Sequence, residues 1–486
     1  MLLALRFFSA SDIIIAPLVV FGLLIILRSR AKRQTDPFLQ KLYYRAFWFK
    51  FFCTIAFVCY TEFIFKGGDT ALYYQCIADM RKGIDDGVVD MVDVLRTDHL
   101  STNHPLTPYF YYDNYSDDFT YGYMLSTSNF FIPRLGLIPS WLLGHNYLSI
   151  CLIFSFFALG GTLRLFKFFY HFFPESKVEI AFATIFLPSV GFWSAALLKD
   201  PVCFGGLGYI MYAVLSIFVK KKNIFTSILI ILACGYLIFN IKVYILLPLI
   251  LSGLLWLFYD TGKKIRDRTL RNIFIFLAII VAAGVSVVAI NYATSSESAA
   301  SYRLDNLQHK AEAQRSTILG LNNIGQVGST SNFEINTSNL FLLIPNSLIA
   351  TFFRPFLWDI KSPVMVVSFF ESLLITFLFL KFVFKKGFFR FFTMAGTNSI
   401  LLLCFTYAII FGIFVGSSTS NFGALSRYKI PCMPFFLVYL ILIYKKNDMA
   451  YPSFFKWIVK AVMPKKKYVP LIKEAGEPVK PIVNPS

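Results

Sequence analysis

Residues 224–259 read IFTSILIILACGYLIFNIKVYILLPLILSGLLWLFY. Two apolar runs, each close to the ~20 residues that cross a hydrocarbon core, stand end to end with one charge, Lys242, between them. Runs of this kind recur at 13–27, 46–65, 147–168, 178–198, 202–219, 272–292, 364–384, 396–415 and 430–444. The composition of the 486 residues agrees: 57% are hydrophobic and only 15% charged, and the mean hydropathy is +0.63. That excludes a disordered chain, a disulfide scaffold and a soluble enzyme. The fold class expected is an all-α, polytopic transmembrane helix bundle of about eleven spans, ten at least and thirteen at most.

The 46 Lys and Arg outnumber the 27 Asp and Glu, a net charge of +19. Position explains the excess. Arg28, Arg30, Lys32 and Arg33 follow the first run, which only Arg6 precedes, so the N-terminus is expected outside. No cleaved signal peptide is expected, because the charge stands on the wrong flank. Further basic turns carry Arg164, Lys167 and Lys177, then Lys220 to Lys222, Lys263 to Arg271, and Lys381 to Arg390. They alternate as cytoplasmic loops do, and an outside N-terminus, eleven crossings and a cytoplasmic C-terminus are mutually consistent. No basic helix stands apart to read nucleic acid, so none is expected as a partner.

The chain divides into an anchor span and cytoplasmic loop (1–45), a transmembrane domain (46–444) with outer loops at 66–146 and 292–363, and a basic cytoplasmic tail (445–486). The first outer loop is acidic, with Asp69, Asp79, Asp85, Asp86, Asp90 and Asp93, and is expected to form short amphipathic helices. The apolar stretch 340–358, which holds Pro345, Arg354 and Pro355, reads as a re-entrant or interfacial helix or as a further span. Seven of the eight cysteines sit in or beside apolar runs, there is no CxxC, and the five histidines are scattered. Neither a disulfide framework nor a zinc site follows.

Function must lie in polar residues that a membrane tolerates poorly. They collect at the outer ends of spans: Gly67-Gly68-Asp69-Thr70 with Tyr73 and Tyr74, Lys199-Asp200-Pro201 after Trp193, Lys242, Arg354, and Arg427-Tyr428. Asp69 follows two glycines that let the chain turn and a ligand approach; it reads as a general base or as a solvated loop aspartate. Asp200 reads as a helix cap with Pro201 in the first turn, or as part of a site. Lys242, Arg354 and Arg427 stand where the positive-inside rule disfavours cations, and read as interfacial anchors or as a phosphate-binding set.

An Asp in the first large outer loop, a second in a tight outer hairpin, and outward cations on later spans resemble the GT-C-type glycosyltransferases that use polyprenyl-phosphate sugars. Residues 421–431, Asn421-Phe422-Gly423-Ala424-Leu425-Ser426-Arg427-Tyr428-Lys429-Ile430-Pro431, are similar to a stretch of bacterial O-antigen and exopolysaccharide polymerases. The resemblance covers the layout of 46–444 and about four short motifs; this chain has a lone Asp69 where some members carry Asp-Glu. It implies inverting sugar transfer on the outer face of a bacterial cytoplasmic membrane, with a lipid-linked sugar donor and a glycan or lipid acceptor as partners besides membrane lipids. Asp69 would be the base and Asp200 would position acceptor or base. Lys199, Lys242, Arg354, Arg427 and Tyr428 would bind the donor, and Tyr73, Tyr74 and Trp193 would face sugar rings. A divalent cation, Mg or Mn, enters only through the resemblance.

Two other readings stand beside it. A transporter or flippase for a lipid-linked glycan needs the same outward cations and also polar residues along a route through the membrane, and midspan charges are hard to find here. A non-enzymatic envelope-assembly component would use the acidic loop for docking.

Overall fold

The computed structural model describes residues 7–65, 67–111, 122–267, 269, 270, 273, 284, 340–419 and 421–462. It is all-helical, 82% helix without strands among the described residues. Among the described residues seven helices are long and apolar enough to cross a membrane, or eight when a pair bent by 69° is taken as one span.

The expected count of about eleven spans is not confirmed among the described residues. The run 178–198 is no continuous helix: it is broken into Lys177–Thr184 and Pro188–Trp193 and ends in a turn and bends over 194–198. The two runs of 224–259 follow one another in a 39-residue helical stretch, and 272–292 lies outside the described residues.

Residues of the chain's first half form α1 (Asp12–Lys32), α2 (Pro37–Cys59, prolonged to Phe65 by a π-helical turn), α3 (Asp69–Asp85), α4 (Met91–Arg96), α5 (Thr107–Tyr111), α6 (Thr127–Leu143) and α7 (Tyr147–Phe172). Then come α8 (Lys177–Thr184), α9 (Pro188–Trp193), α10 (Lys199–Leu215), α11 (Ile224–Lys242) and α12 (Leu246–Gly262). The last part holds α13 (Leu340–Phe353), α14 (Pro363–Lys386), α15 (Phe388–Thr393), α16 (Ser399–Ser418), α17 (Phe422–Tyr428), α18 (Met433–Lys446) and α19 (Ser453–Val462).

Local chemistry sets several boundaries. Asp36 accepts from Phe38 N at 2.8 Å before Pro37 opens α2, and Asn146 caps α7 by accepting from Ser149 N at 2.9 Å. The acidic loop forms helices as its pattern requires. Thr70, Tyr73, Ile77 and Met80 recur at helical spacing and are buried, while Asp85 and Asp86 face out.

The tightest crossing joins α7 to α10. A Cβ on Gly161 would lie 2.0 Å from Gly205 O, and one on Gly208 would lie 2.1 Å from Gly161 O. Only glycine lets these backbones approach so closely, which is how helices associate where burial from lipid supplies little drive.

Contacts define two ends of the bundle. At one, Lys167 donates to Gln34 Oε1 at 2.8 Å, Tyr170 to Asp36 at 2.6 Å, Tyr259 to Gly396 O at 2.5 Å, and Lys445 pairs with Glu175 at 3.2 Å. This end carries the basic turns after α1 and α7 and at the end of α18. The opposite end gathers the starts of α3, α7 and α10. The backbone leaves the helix at Lys242 (φ −149°, ψ 71°), and Trp256 of α12 then packs against Phe168 and Phe172 at the basic end. So α11 and α12 run in opposite directions within this stretch.

Helix α13 enters from the non-basic end and stops short. Ser347 meets Gly416 near the end of α16 and Phe352 meets Gly412 a turn deeper, after which α14 starts again from the same end. At 14 residues it is shorter than the spanning helices α14 and α16 beside it. Backbone of this kind at membrane depth needs protein partners. Lys429 Nζ and Ser372 Oγ both donate to Arg354 O, each at 2.9 Å. Broken α9 is held likewise: Glu371 Oε1 accepts from Ser189 N at 2.7 Å at its start, and Lys50 Nζ donates to Gly191 O at 3.1 Å and Ser194 Oγ at 2.5 Å at its end. Lys50 and Glu371, inside the spanning helices α2 and α14, and Lys429, in the break between α17 and α18, are buried at 5%, 4% and 0% exposure.

Candidate functional site

Four helix ends meet at the non-basic end. Gly68, at φ 82°, turns the chain after α2 so that Asp69 opens α3. Lys199 and Asp200 open α10, Lys242 closes α11, and Arg427 belongs to α17, which Asn421 starts by accepting from Gly423 N at 2.6 Å. Arg427 Nη1 donates to Asp69 Oδ2 at 2.6 Å, and its Nε to Asp200 Oδ2. Lys242 Nζ reaches Asp200 Oδ1 at 2.5 Å. One guanidinium thus bridges two carboxylates, and one carboxylate bridges two cations.

The gradient of exposure gives the cluster a front. The side chains of Asp200, Lys242 and Arg427 are 1%, 7% and 12% exposed, whereas that of Asp69 is 31% exposed. Lys199 lies beside Asp69 but donates to neutral groups of α6, Ser128 Oγ at 3.0 Å and Asn129 Oδ1. Two carboxylates against Arg427, Lys242 and Lys199 leave one positive charge over. Asp69 and Asp200 occupy the first turns of two long helices, whose N-termini add partial positive charge and N–H groups. The arrangement favours an anion.

Burial pushes the Asp69 carboxyl up, but the charge and hydrogen bond of Arg427 outweigh it and hold the group below its usual range. In this state Asp69 is a firmly ionised ion-pair partner rather than a poised base. Burial, then the Asp69 charge, pushes the Tyr73 phenol well up, so Tyr73 stays a neutral hydrogen-bonding group.

Of the residues singled out by sequence, Asp69, Asp200, Lys242 and Arg427 are brought into direct contact. Tyr428 lies against Lys242, 4.8 Å from ring centroid to Nζ, and the Trp193 ring stands 6.0 Å from the Arg427 guanidinium. Tyr73 faces the cluster from α3, its hydroxyl 3.2 Å from that of Tyr123. Two do not join. Arg354 makes a two-point pair with Asp359 at 3.0 and 2.7 Å and stacks over Phe422 at 4.1 Å, so its charge is answered locally. Tyr74 stacks on His145 at 4.2 Å and donates to His145 O at 2.8 Å, away from the ions.

Sequence reasoning missed Tyr123, Ser128 and Asn129, polar residues of the 66–146 segment that carry no local signal. It also passed over Lys50, whose place inside an apolar run was visible. Among the described residues no three His, Cys, Asp or Glu groups converge as metal ligands. Asp200 turns both oxygens, and Asp69 one, onto cations, so this donor set does not fit a divalent metal. Comparison of the chain with family models, with curated proteins and with solved structures finds no match.

Proposed function

We propose that the protein is a membrane glycosyltransferase or polysaccharide polymerase that takes a lipid-linked sugar phosphate or pyrophosphate as donor. The observation that carries this reading is the net-positive cluster at two helix N-termini, with a carboxylate at its front and the rings of Trp193 and Tyr428 at its sides. By the positive-inside rule the basic end faces the cytoplasm and the cluster opens on the outer face of the membrane, which the family resemblance implies is a bacterial cytoplasmic membrane.

The geometry suggests how binding readies the base. A donor phosphate competes with Asp69 for the Arg427 guanidinium, and Arg-phosphate pairing is as strong as Arg-carboxylate pairing. Released from Arg427, Asp69 keeps only the smaller pull of the Lys199 charge and the Tyr123 hydrogen bond against its desolvation, so its proton affinity rises. The acceptor O–H then attacks the anomeric carbon as the bond to the phosphate oxygen breaks, the proton passes to Asp69, and the phosphate stays on Arg427, Lys242 and Lys199. Electrostatic stabilisation of that leaving group is the largest share of catalysis.

The test is transfer of a radiolabelled sugar from polyprenyl-phosphate donors in membranes carrying the protein. Asp69→Asn is expected to lower turnover by at least ~100-fold with the donor still bound. A second reading, transport of a lipid-linked glycan, is favoured by the discontinuous α8/α9 and α17/α18 segments and the short α13, since broken helices frame transporter sites. Donor binding without turnover, together with movement of the glycolipid across vesicles, would select it. Binding of no glycolipid at all would favour the scaffold reading.

A further inference from the structure

Four cations gather around α7 at the basic end. Arg164 and Lys167 stand one turn apart on α7, Arg30 lies in the last turn of α1, and Lys220 closes a π-helical turn, Ser216–Lys220, that prolongs α10. The charges acting on Lys167 are those of Arg164 and Lys220, and the cations acting on the Tyr43 hydroxyl are Arg164 and Arg30. Their hydrogen bonds go to neutral groups. Lys167 Nζ donates to Gln34 Oε1 at 2.8 Å, Lys220 Nζ to the Tyr212 hydroxyl at 3.2 Å, and Arg164 Nη1 to Gly160 O at 3.2 Å. Among the described residues none of the four pairs with a carboxylate. Asp36, before α2, is already taken: one oxygen accepts from Phe38 N and the other from the Tyr170 hydroxyl.

The positive-inside rule alone does not account for this arrangement. Cations that only mark the cytoplasmic side sit in water, as Lys221 and Lys222 do in the turn that follows. Arg164, Lys167 and Lys220 are half-buried and laid on rings, 4.3 Å from the centroid of Tyr209, 5.1 Å from that of Tyr43 and 4.7 Å from that of Tyr212. Rings fix the position of a cation without cancelling its charge. Like charges drawn together out of water repel more strongly as the dielectric falls, and an anion among them would relieve that repulsion. The cluster also has donors to spare: Arg164 Nε and Nη2 have no partner among the described residues, and neither is sealed from the surface. A guanidinium edge flanked by ammonium groups, with no acid among them, matches the oxygens of a phosphate.

The surroundings choose the kind of phosphate. Ile26 stands one turn before Arg30 on α1 and is 44% exposed, and Phe218 and Val219, next to Lys220, are 56% and 39% exposed. Apolar surface that would meet lipid therefore borders the cations on two sides. A lipid can lay its phosphate among the cations and its acyl chains along that surface, whereas a free phosphate ion uses the charges alone.

We infer that this cluster binds the phosphate of an anionic membrane lipid, drawn from the leaflet at the basic end, through Arg30, Arg164, Lys167 and Lys220. The inference does not rest on sugar transfer, and its readout is binding alone.

The test uses the full chain purified in detergent, with native mass spectrometry and melting temperature as readouts. Dioleoylphosphatidylglycerol is expected to bind more tightly, by about tenfold or more, than dioleoylphosphatidylcholine, which has the same chains and a phosphate but no net charge. Lys167→Gln with Lys220→Gln is expected to remove that preference without lowering the melting temperature of the lipid-free protein, because it relieves repulsion. Arg30→Gln, at an exposed position, is expected to weaken binding of the anionic lipid about fivefold. Lys221→Gln with Lys222→Gln removes the same charge from the exposed turn and is expected to leave the preference in place. An equal loss in that control pair would show diffuse attraction to the basic end and overturn the inference. So would equal binding of the two lipids, an unchanged preference in the Lys167 and Lys220 pair, or stabilisation by inorganic phosphate that matches the lipid's.

Discussion

Arg427 contacts carboxylates 358 and 227 positions away in the chain, so one side chain ties the first outer loop and the start of α10 to the end of the bundle. Removing one member of a buried ionic network leaves the others uncompensated, and Arg427→Ala is expected to destabilise the fold by about 3–5 kcal/mol, read as the midpoint of thermal unfolding in detergent. Adding Asp200→Asn to that variant is expected to recover part of the loss, because it removes one of the stranded charges. Acid acts on the same network: a carboxyl held low by Arg427, as Asp69 is, stabilises above its unfolded range and ceases to do so as pH falls through its folded value. His145 adds an earlier loss. Burial, then the Arg81 charge, depresses its imidazole to about 4 from 6.5, so its contribution is complete above pH 6.5 and is lost between about 6.5 and 4. His145→Asn, which tolerates the left-handed backbone at φ 52°, is expected to flatten the fall in melting temperature across that window.

At the scale of elements, stability concentrates where the chain departs from simple spans. At the α7–α10 crossing backbone meets backbone, and no flexible side chain stands between to give way. Gly161→Val is expected to push the helices apart, seen as a lowered melting temperature and a lower yield of monodisperse protein. The broken α9 depends on a carboxylate at its start and an ammonium at its end, charges that match the helix dipole. Lys50→Met keeps the volume but leaves Gly191 O and Ser194 Oγ without that donor. A loss of about 1–3 kcal/mol is expected on the same unfolding assay. These breaks explain why hydropathy alone reads 178–198 as a span: its apolar content and Pro188 were legible, but the distant polar partners that let the helix stop there were not.

For the whole molecule, sidedness is the property to measure. Cysteine placed at Val88 of the acidic loop is expected to react with a membrane-impermeant maleimide in intact cells, and cysteine at Lys222 only after permeabilisation. Six of the eight native cysteines are buried and all are free, which keeps the background low. The reverse labelling would put the ionic cluster in the cytoplasm and remove the proposed donor geometry with it.

Membrane embedding, helical class, the alternation of basic turns and the residues of the ionic cluster were determined by the sequence itself. Apolar run length and charge placement are local properties, and the cost of burying a backbone or a charge in lipid acts on each segment separately. Which of those polar residues would meet was decided only by tertiary structure. Arg354 and Arg427 look alike in the sequence, yet one is answered by Asp359 five positions away and the other by two carboxylates hundreds of residues distant. Tyr73 and Tyr74 are neighbours, and the helical turn between them sends one to the ionic cluster and the other to His145. An ion pair acts over a few ångströms, and no local pattern encodes which distant helix end will come within that reach.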